Sequence, residues 1–234
     1  MTRNLVCSFI AAATLAMTSA PLLAEDKSGE NLLPGPAEKA DSAVSKAALA
    51  QDLFAHAQET KNAVAALAAA QIMMSLDLKD EEREKETKDI EGADVTEDGT
   101  GADAPADAAA MMAAAKEFAG GDETVLGLIE DAEAEGSRGR IGGATRTLSR
   151  LPAGKVDIFK VPFAGGRLAE LAIVGDGDTN LDLLVTDENG NTICLDRSYS
   201  DKLYCSWTPR WNGYFLIAVA NQGRVRNSYY ILTN

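Results

Sequence analysis

Beyond Lys155 the hydrophobic pattern switches to a period of two, and this switch constrains the fold more than any other feature of the chain. Seven short runs rich in Val, Ile, Leu and aromatic residues follow: VDIFKVPF, GRLAELAIVG, LDLLVTD, NTICLD, LYCSWT, GYFLIAVAN and NSYYILTN, parted by Gly, Asn, Asp and Pro. Strands at this spacing predict an antiparallel β-sandwich, jelly-roll-like, over residues 155–234. Within LDLLVTD the period places Leu181, Leu183 and Val185 on the core side and Asp182, Leu184 and Thr186 on the other. Asn189-Gly190 tolerates positive φ and suits a tight hairpin into NTICLD.

The chain ahead of the switch reads differently. Residues 37–76 form an Ala-rich helical pair broken near 59–62, with Asn62 placed to cap the second helix and Val64, Leu67, Ala68 and Ile72 near one face. Residues 107–136 form a cleaner αα-hairpin, in which Met111, Ala114, Ala115 and Phe118, then Val125, Leu128, Ile129 and Ala132, flank the Gly120-Gly121 break. The two pairs are expected to pack together. Between them, 77–106 is dense in charge and poor in large apolar groups, so it reads as an acidic disordered linker looped out, and 25–36 reads as a disordered leader. Residues 137–154 carry Arg138, Arg140, Arg146 and Arg150 and no acid; they read as a basic flexible linker or, more sharply, as arginines docked on the acidic region.

Charge supports two structural units. Residues 25–136 hold 27 acidic against 9 basic side chains, and 137–234 hold 9 against 12. The fold class is therefore α+β as separate regions. A net charge of −14 argues against nucleic acid or anionic lipid as a partner.

At the start, Arg3, the apolar run Leu5–Met17 and the small residue Ala24 lay out a secretory signal peptide over 1–24, so the expected location is periplasmic or secreted. Cleavage removes Cys7 and leaves Cys194 and Cys205, a pair that an oxidising compartment favours as a disulfide. If NTICLDR and KLYCSWT pair around Arg197–Lys202, these two positions face each other as a cross-strand bridge.

Several features of the last third now converge: the D-x-D-L-style strand at Asp178–Leu183, the turn Asp187–Asn191, the aromatic-Thr-Pro at Trp207–Pro209 and the Trp-x-Gly-aromatic at Trp211–Tyr214. Together they resemble the bacterial pre-peptidase C-terminal (PPC) domain family. The resemblance implies a non-catalytic jelly-roll sandwich that in relatives follows a secreted protease, with calcium bound in related collagen-binding domains. Nothing ahead of it here is rich enough in Ser, His or Cys to be a peptidase.

Chemistry is sparse. The single histidine, His56, lies in an Ala-rich helix and offers no base for a triad and no zinc set. Asp176, Asp178 and Asn180 are the candidate calcium ligands, against a plainer role in shaping the turn through bonds to the backbone. Trp211 and Tyr214 are candidate binding aromatics, a reading that needs Trp211 at the surface. The expected function is non-catalytic binding or envelope interaction with a protein or an envelope glycan, with calcium as the one cofactor in view. The rivals are a carboxylate-based hydrolase and an assembly or chaperone-like factor acting through the helices.

Overall fold

The computed structural model describes residues 27–35, 41–93, 95, 101–135 and 141–234. The signal-peptide segment 1–24, and Arg138 and Arg140, lie outside them.

Among the described residues four helices form: α1 (Ala43–Thr60), α2 (Ala63–Met74), α3 (Ala108–Ala119) and α4 (Glu123–Glu135). Their ends are set by local chemistry. Ser42 and Ser45 make a reciprocal capping box on α1, and Lys61 ends that helix in the left-handed region at φ 51°. Asn62 and Asp107 each accept the backbone N–H three residues on, starting α2 and α3. The two helical pairs share one apolar cluster, with Phe54, Leu67, Met111, Met112, Ala115 and Ile129 at its centre. The buried stripe of α2 runs through Ala63, Ala66, Leu67 and Ala70; Val64, expected on that face, is 54% exposed.

Ten strands among the described residues follow or interleave: β1 (Leu76–Asp80), β2 (Lys85–Asp89), β3 (Ile141–Leu151), β4 (Lys155–Phe163), β5 (Ala169–Gly175), β6 (Asp182–Asp187), β7 (Thr192–Asp196), β8 (Lys202–Trp207), β9 (Gly213–Asn221) and β10 (Asn227–Thr233). They make two five-stranded sheets, β1-β3-β10-β5-β8 and β2-β4-β9-β6-β7. All pairings are antiparallel except β1 with β3. Side chains from both sheets, among them Phe159, Leu171, Ile173, Leu183, Trp207, Phe215, Ile217 and Tyr229, form one hydrophobic cluster. As expected, Leu181, Leu183 and Val185 are fully buried in it, and Gly190 turns β6 into β7 at φ 84°.

The first sheet is also covered on its far face. Ala43, Val44, Ala47 and Ala48 of α1 pack on Ala172, Val174 and Leu232, so every residue of β5 is buried. This explains why β5 reads AELAIVG, apolar on both faces apart from the buried Glu170 rather than alternating.

Three sequence readings are corrected. The acidic segment 77–106 is not a looped-out linker over its described part: β2 and all of β1 but Leu76 lie in it, and each adds an outer strand to a different sheet. Within the segment 137–154, read as a basic flexible linker, 141–151 are instead the 11-residue strand β3. The leader 25–36 is not free chain over its described part. Asn31 is fully buried, its backbone N–H donates to Asp187 Oδ2 (2.8 Å), and Leu33 N–H donates to the Thr208 carbonyl (2.8 Å). The physical reason is shared: each segment is too polar to make a core alone, but each finds a ready sheet edge or turn to pair with.

Candidate functional site

The turn after β5 holds the residues nominated as calcium ligands, and its carboxylates are already engaged. Asp176 Oδ1 accepts the Asp178 N–H (3.1 Å) and Oδ2 accepts the Ser228 N–H (2.7 Å), while Asp178 Oδ2 accepts the Ala102 N–H (2.5 Å). Burial, joined by the nearby charges of Asp178 and Asp201, pushes the Asp176 carboxyl above the ordinary range despite those bonds. Asn180 lines the wall of a groove described below. Among the described residues no three carboxylate, His or Cys side chains converge as a metal set. These bonds shape the turn and dock residues 101–103.

The candidate aromatics separate. Trp211 is 2% exposed, and its Nε1 donates to Glu188 Oε1 (2.7 Å). Tyr214 stays 37% exposed, with the Lys160 ammonium 3.8 Å above its ring. Trp211 is thus a packing residue, which removes the paired-aromatic binding surface. The Trp-x-Gly motif has a local cause: a Cβ on Gly213 would sit 2.5 Å from Glu188 Oε1 and 2.6 Å from Asn31 Nδ2. Asn31 in turn donates to the Trp211 carbonyl and accepts its N–H (3.2 and 3.0 Å). Burial alone would raise Asp187 beside this knot, but the Asn191 amide and the N–H groups of Asn31, Asn191 and Asn189 outweigh it and hold its carboxyl below the ordinary range.

The disulfide joins Cys194 and Cys205 as expected, but not across a hairpin. β7 pairs only with β6 and β8 only with β5, so the bridge ties one sheet to the other at their β7 and β8 edges.

At the opposite edges the sequence reading missed a buried polar cluster. Asp157 on β4 is fully buried, and its carboxylate accepts from Lys85 Nζ (2.6 Å), Thr87 Oγ1 (2.5 Å), Ser149 Oγ (2.6 Å) and Tyr229 O–H (2.9 Å). Burial pushes the Tyr229 hydroxyl well above its ordinary pKa, as does the adjoining Asp157 charge. Arg83, one alternation earlier, donates to Thr145, Thr147 and Thr233 and pairs with Glu81. The missed signal is a period of two in charge: Glu82, Glu84 and Glu86 alternate with Arg83, Lys85 and Thr87.

A groove of about 420 Å³ opens between α1 and the loops that precede β6 and β8. Asp52, Gln58 and Glu59 line it from the helix, Asn180 and Tyr199 from the loops, and Lys202 from the start of β8. The loops are pinned: Asp201 Oδ2 accepts the Gly177 N–H (2.6 Å), Oδ1 pairs with Lys202 (2.6 Å), and the Leu181 N–H donates to the Ser200 carbonyl (3.0 Å). Tyr199 is 100% exposed. His56 lies on the exposed side of α1, not in the lining.

Fold and site together define an α+β protein in which helices cover one of two mostly antiparallel sheets, with a polar groove where helix and sheet loops meet. No helix among the described residues is long and apolar enough to cross a membrane. No family model matches the chain, and no curated protein matches it. Among solved structures it is similar to the pre-peptidase C-terminal domain of a Bacillus anthracis collagenase, with 13% identity, 39% of this chain and 90% of that one covered, and a TM-score of 0.32. It is also similar to an exo-β-1,3-galactanase of Phanerochaete chrysosporium with galactose, with 12% identity, 40% of this chain and 30% of that one covered, and a TM-score of 0.26. Neither likeness bears on ligand or activity.

Proposed function

We propose that this is an exported, non-catalytic binding protein, periplasmic or secreted, whose two sheets form a jelly-roll-like β-sandwich of the PPC type and which interacts with the envelope through the groove between α1 and the sheet loops. The observation that carries this reading is Tyr199: a fully exposed aromatic ring on the lip of a polar groove whose walls are pinned by hydrogen bonds. Folding gains nothing from leaving such a ring in water, whereas a ligand gains its whole face.

The chemistry elsewhere supports binding over hydrolysis. Ser149 Oγ lies 2.6 Å from Lys85 Nζ, the spacing of a Ser–Lys nucleophile pair, but that ammonium is paired with the buried Asp157 carboxylate. Calcium does not enter the proposal: both Asp176 oxygens and Asp178 Oδ2 already accept backbone N–H groups.

The test is capture from envelope extract with a photo-crosslinking residue in place of Tyr199, compared with one in place of the exposed Leu128 on α4. A discrete adduct at position 199 and none at 128 is the expected result; no adduct at 199 sinks the reading.

A further inference from the structure

The groove's lining narrows its ligand to one chemical class. Resting on the binding reading above, we infer that it is a glycan subsite for neutral or amine-bearing sugar residues. In it Tyr199 stacks on a ring face while Glu59 accepts from sugar hydroxyls and Gln58 and Asn180 accept from and donate to them.

Four observations lead there. First, of the described aromatic residues Tyr199 alone is fully exposed; Trp207, Trp211 and Tyr229 fill the interior, Tyr204 donates to the buried Glu170, and Tyr230 lies under Arg146. Second, the helix side chains that line the groove recur at 52, 55, 58 and 59, one face of α1, and apart from Ala55 they end in planar carboxylate or amide groups. Such groups bond two neighbouring hydroxyls at once, which a pyranose ring supplies. Third, the walls offer no apolar recess: Ala55 is the only aliphatic lining residue, so a peptide would find no pocket for an anchoring side chain. A sugar needs none, because its apolar face requires only a flat ring. Fourth, the Lys202 ammonium is already paired with Asp201, which leaves the exposed Glu59 carboxylate to set the charge met by a ligand; this disfavours uronic, sulfated or phosphorylated sugars and favours amines.

The site is also built rather than induced. The Asp201 carboxylate holds the Gly177 N–H and Lys202, and Asn227 Nδ2 donates to the Thr179 carbonyl (2.7 Å), so both loops are tied to the sheets beneath them. The closeness explains a glycine: a Cβ on Gly175 would sit 2.2 Å from Asp201 Oδ2. The volume falls within the range of about 300–1,000 Å³ typical of small-ligand sites.

The experiment uses the mature chain, residues 25–234, and four probes in calorimetry and saturation-transfer NMR. These are a β-1,4-linked N-acetylglucosamine tetramer, its de-N-acetylated form, an oligogalacturonate of equal length, and a Lys-Ala octapeptide. The expected result is saturable binding of the first two, tighter for the amine at low salt, and none of the uronate. Tyr199→Ala should weaken binding about tenfold, Tyr199→Phe should leave it nearly intact, and neither should move the melting temperature. Glu59→Gln should reduce the preference for the amine. Failure of both sugars to bind, or binding that Tyr199→Ala leaves unchanged, overturns the inference, as does preference for the octapeptide. The crosslink at position 199 separates the two readings: a polypeptide adduct overturns the glycan and keeps the binding site, and no adduct removes both.

Discussion

The two lateral edges of the sheet pair are closed by opposite means. At one, β7 and β8 are tied by the Cys194–Cys205 disulfide between strands that share no hydrogen bonds. At the other, β3 and β4 leave an inward face of Thr145, Thr147, Ser149 and Asp157, and the acidic segment closes it with two strands and the side chains of Arg83, Lys85 and Thr87. The covalent edge works mainly by restricting the unfolded chain and depends on redox state. The ionic edge works through desolvated charge and is tolerant of reductant, but losing one partner strands the other in the interior. The molecule thus uses its least hydrophobic segment where its core is most polar.

Breaking that comparison starts with Lys85→Ala. It leaves the Asp157 charge buried without its cation, so urea unfolding should show a loss of about 3–5 kcal/mol. A loss below that of an exposed ion pair would mean the polar edge is ornamental. Replacing both cysteines by Ala should cost about 3 kcal/mol for a loop of 11 residues' separation. Because the two closures sit on different strands, the combined variant should lose the sum within about 0.5 kcal/mol; strong non-additivity would mean that the edges communicate.

A third, smaller effect tests the strap. Asn31→Ala removes a buried amide and leaves the Trp211 N–H without its acceptor, at about 1–3 kcal/mol. Asp187, on the same knot, has its folded pKa held below the unfolded value, so its contribution is present above the ordinary Asp range and is lost as pH falls through that range, below about pH 4. Asp187→Asn should flatten that acid limb. Asp176, with its pKa raised, carries the opposite sign: it relatively favours the folded state when protonated, so Asp176→Asn should leave the limb no flatter. The smallest effect belongs to Arg146 and Asp80, where β3 meets β1 at a pair exposed on the Asp side; Asp80→Ala should cost under about 1 kcal/mol, and less in high salt. Millimolar calcium should leave the melting temperature of the wild-type chain unchanged, and a rise that Asp178→Ala abolishes would restore the metal.

The sequence by itself determined what periodicity and local capping encode. The switch at Lys155, the inward set Leu181, Leu183 and Val185, the Asn189-Gly190 turn and the caps at Asn62 and Gly120-Gly121 all stand in the structure, because each depends on neighbours a few residues away. The cysteine pairing was legible too, though its meaning was not, since β7 and β8 part into different sheets. Only the tertiary structure decided the rest. Residues 82–88 look like disordered charge until β3 and β4 supply an edge, because a strand's stability comes from its partner rather than from its own composition. Trp211 looked like a ligand platform until Asn31, 180 positions away, covered it. And the groove at Tyr199 draws on α1 and two separate loops, side chains that no spacing in the chain brings together.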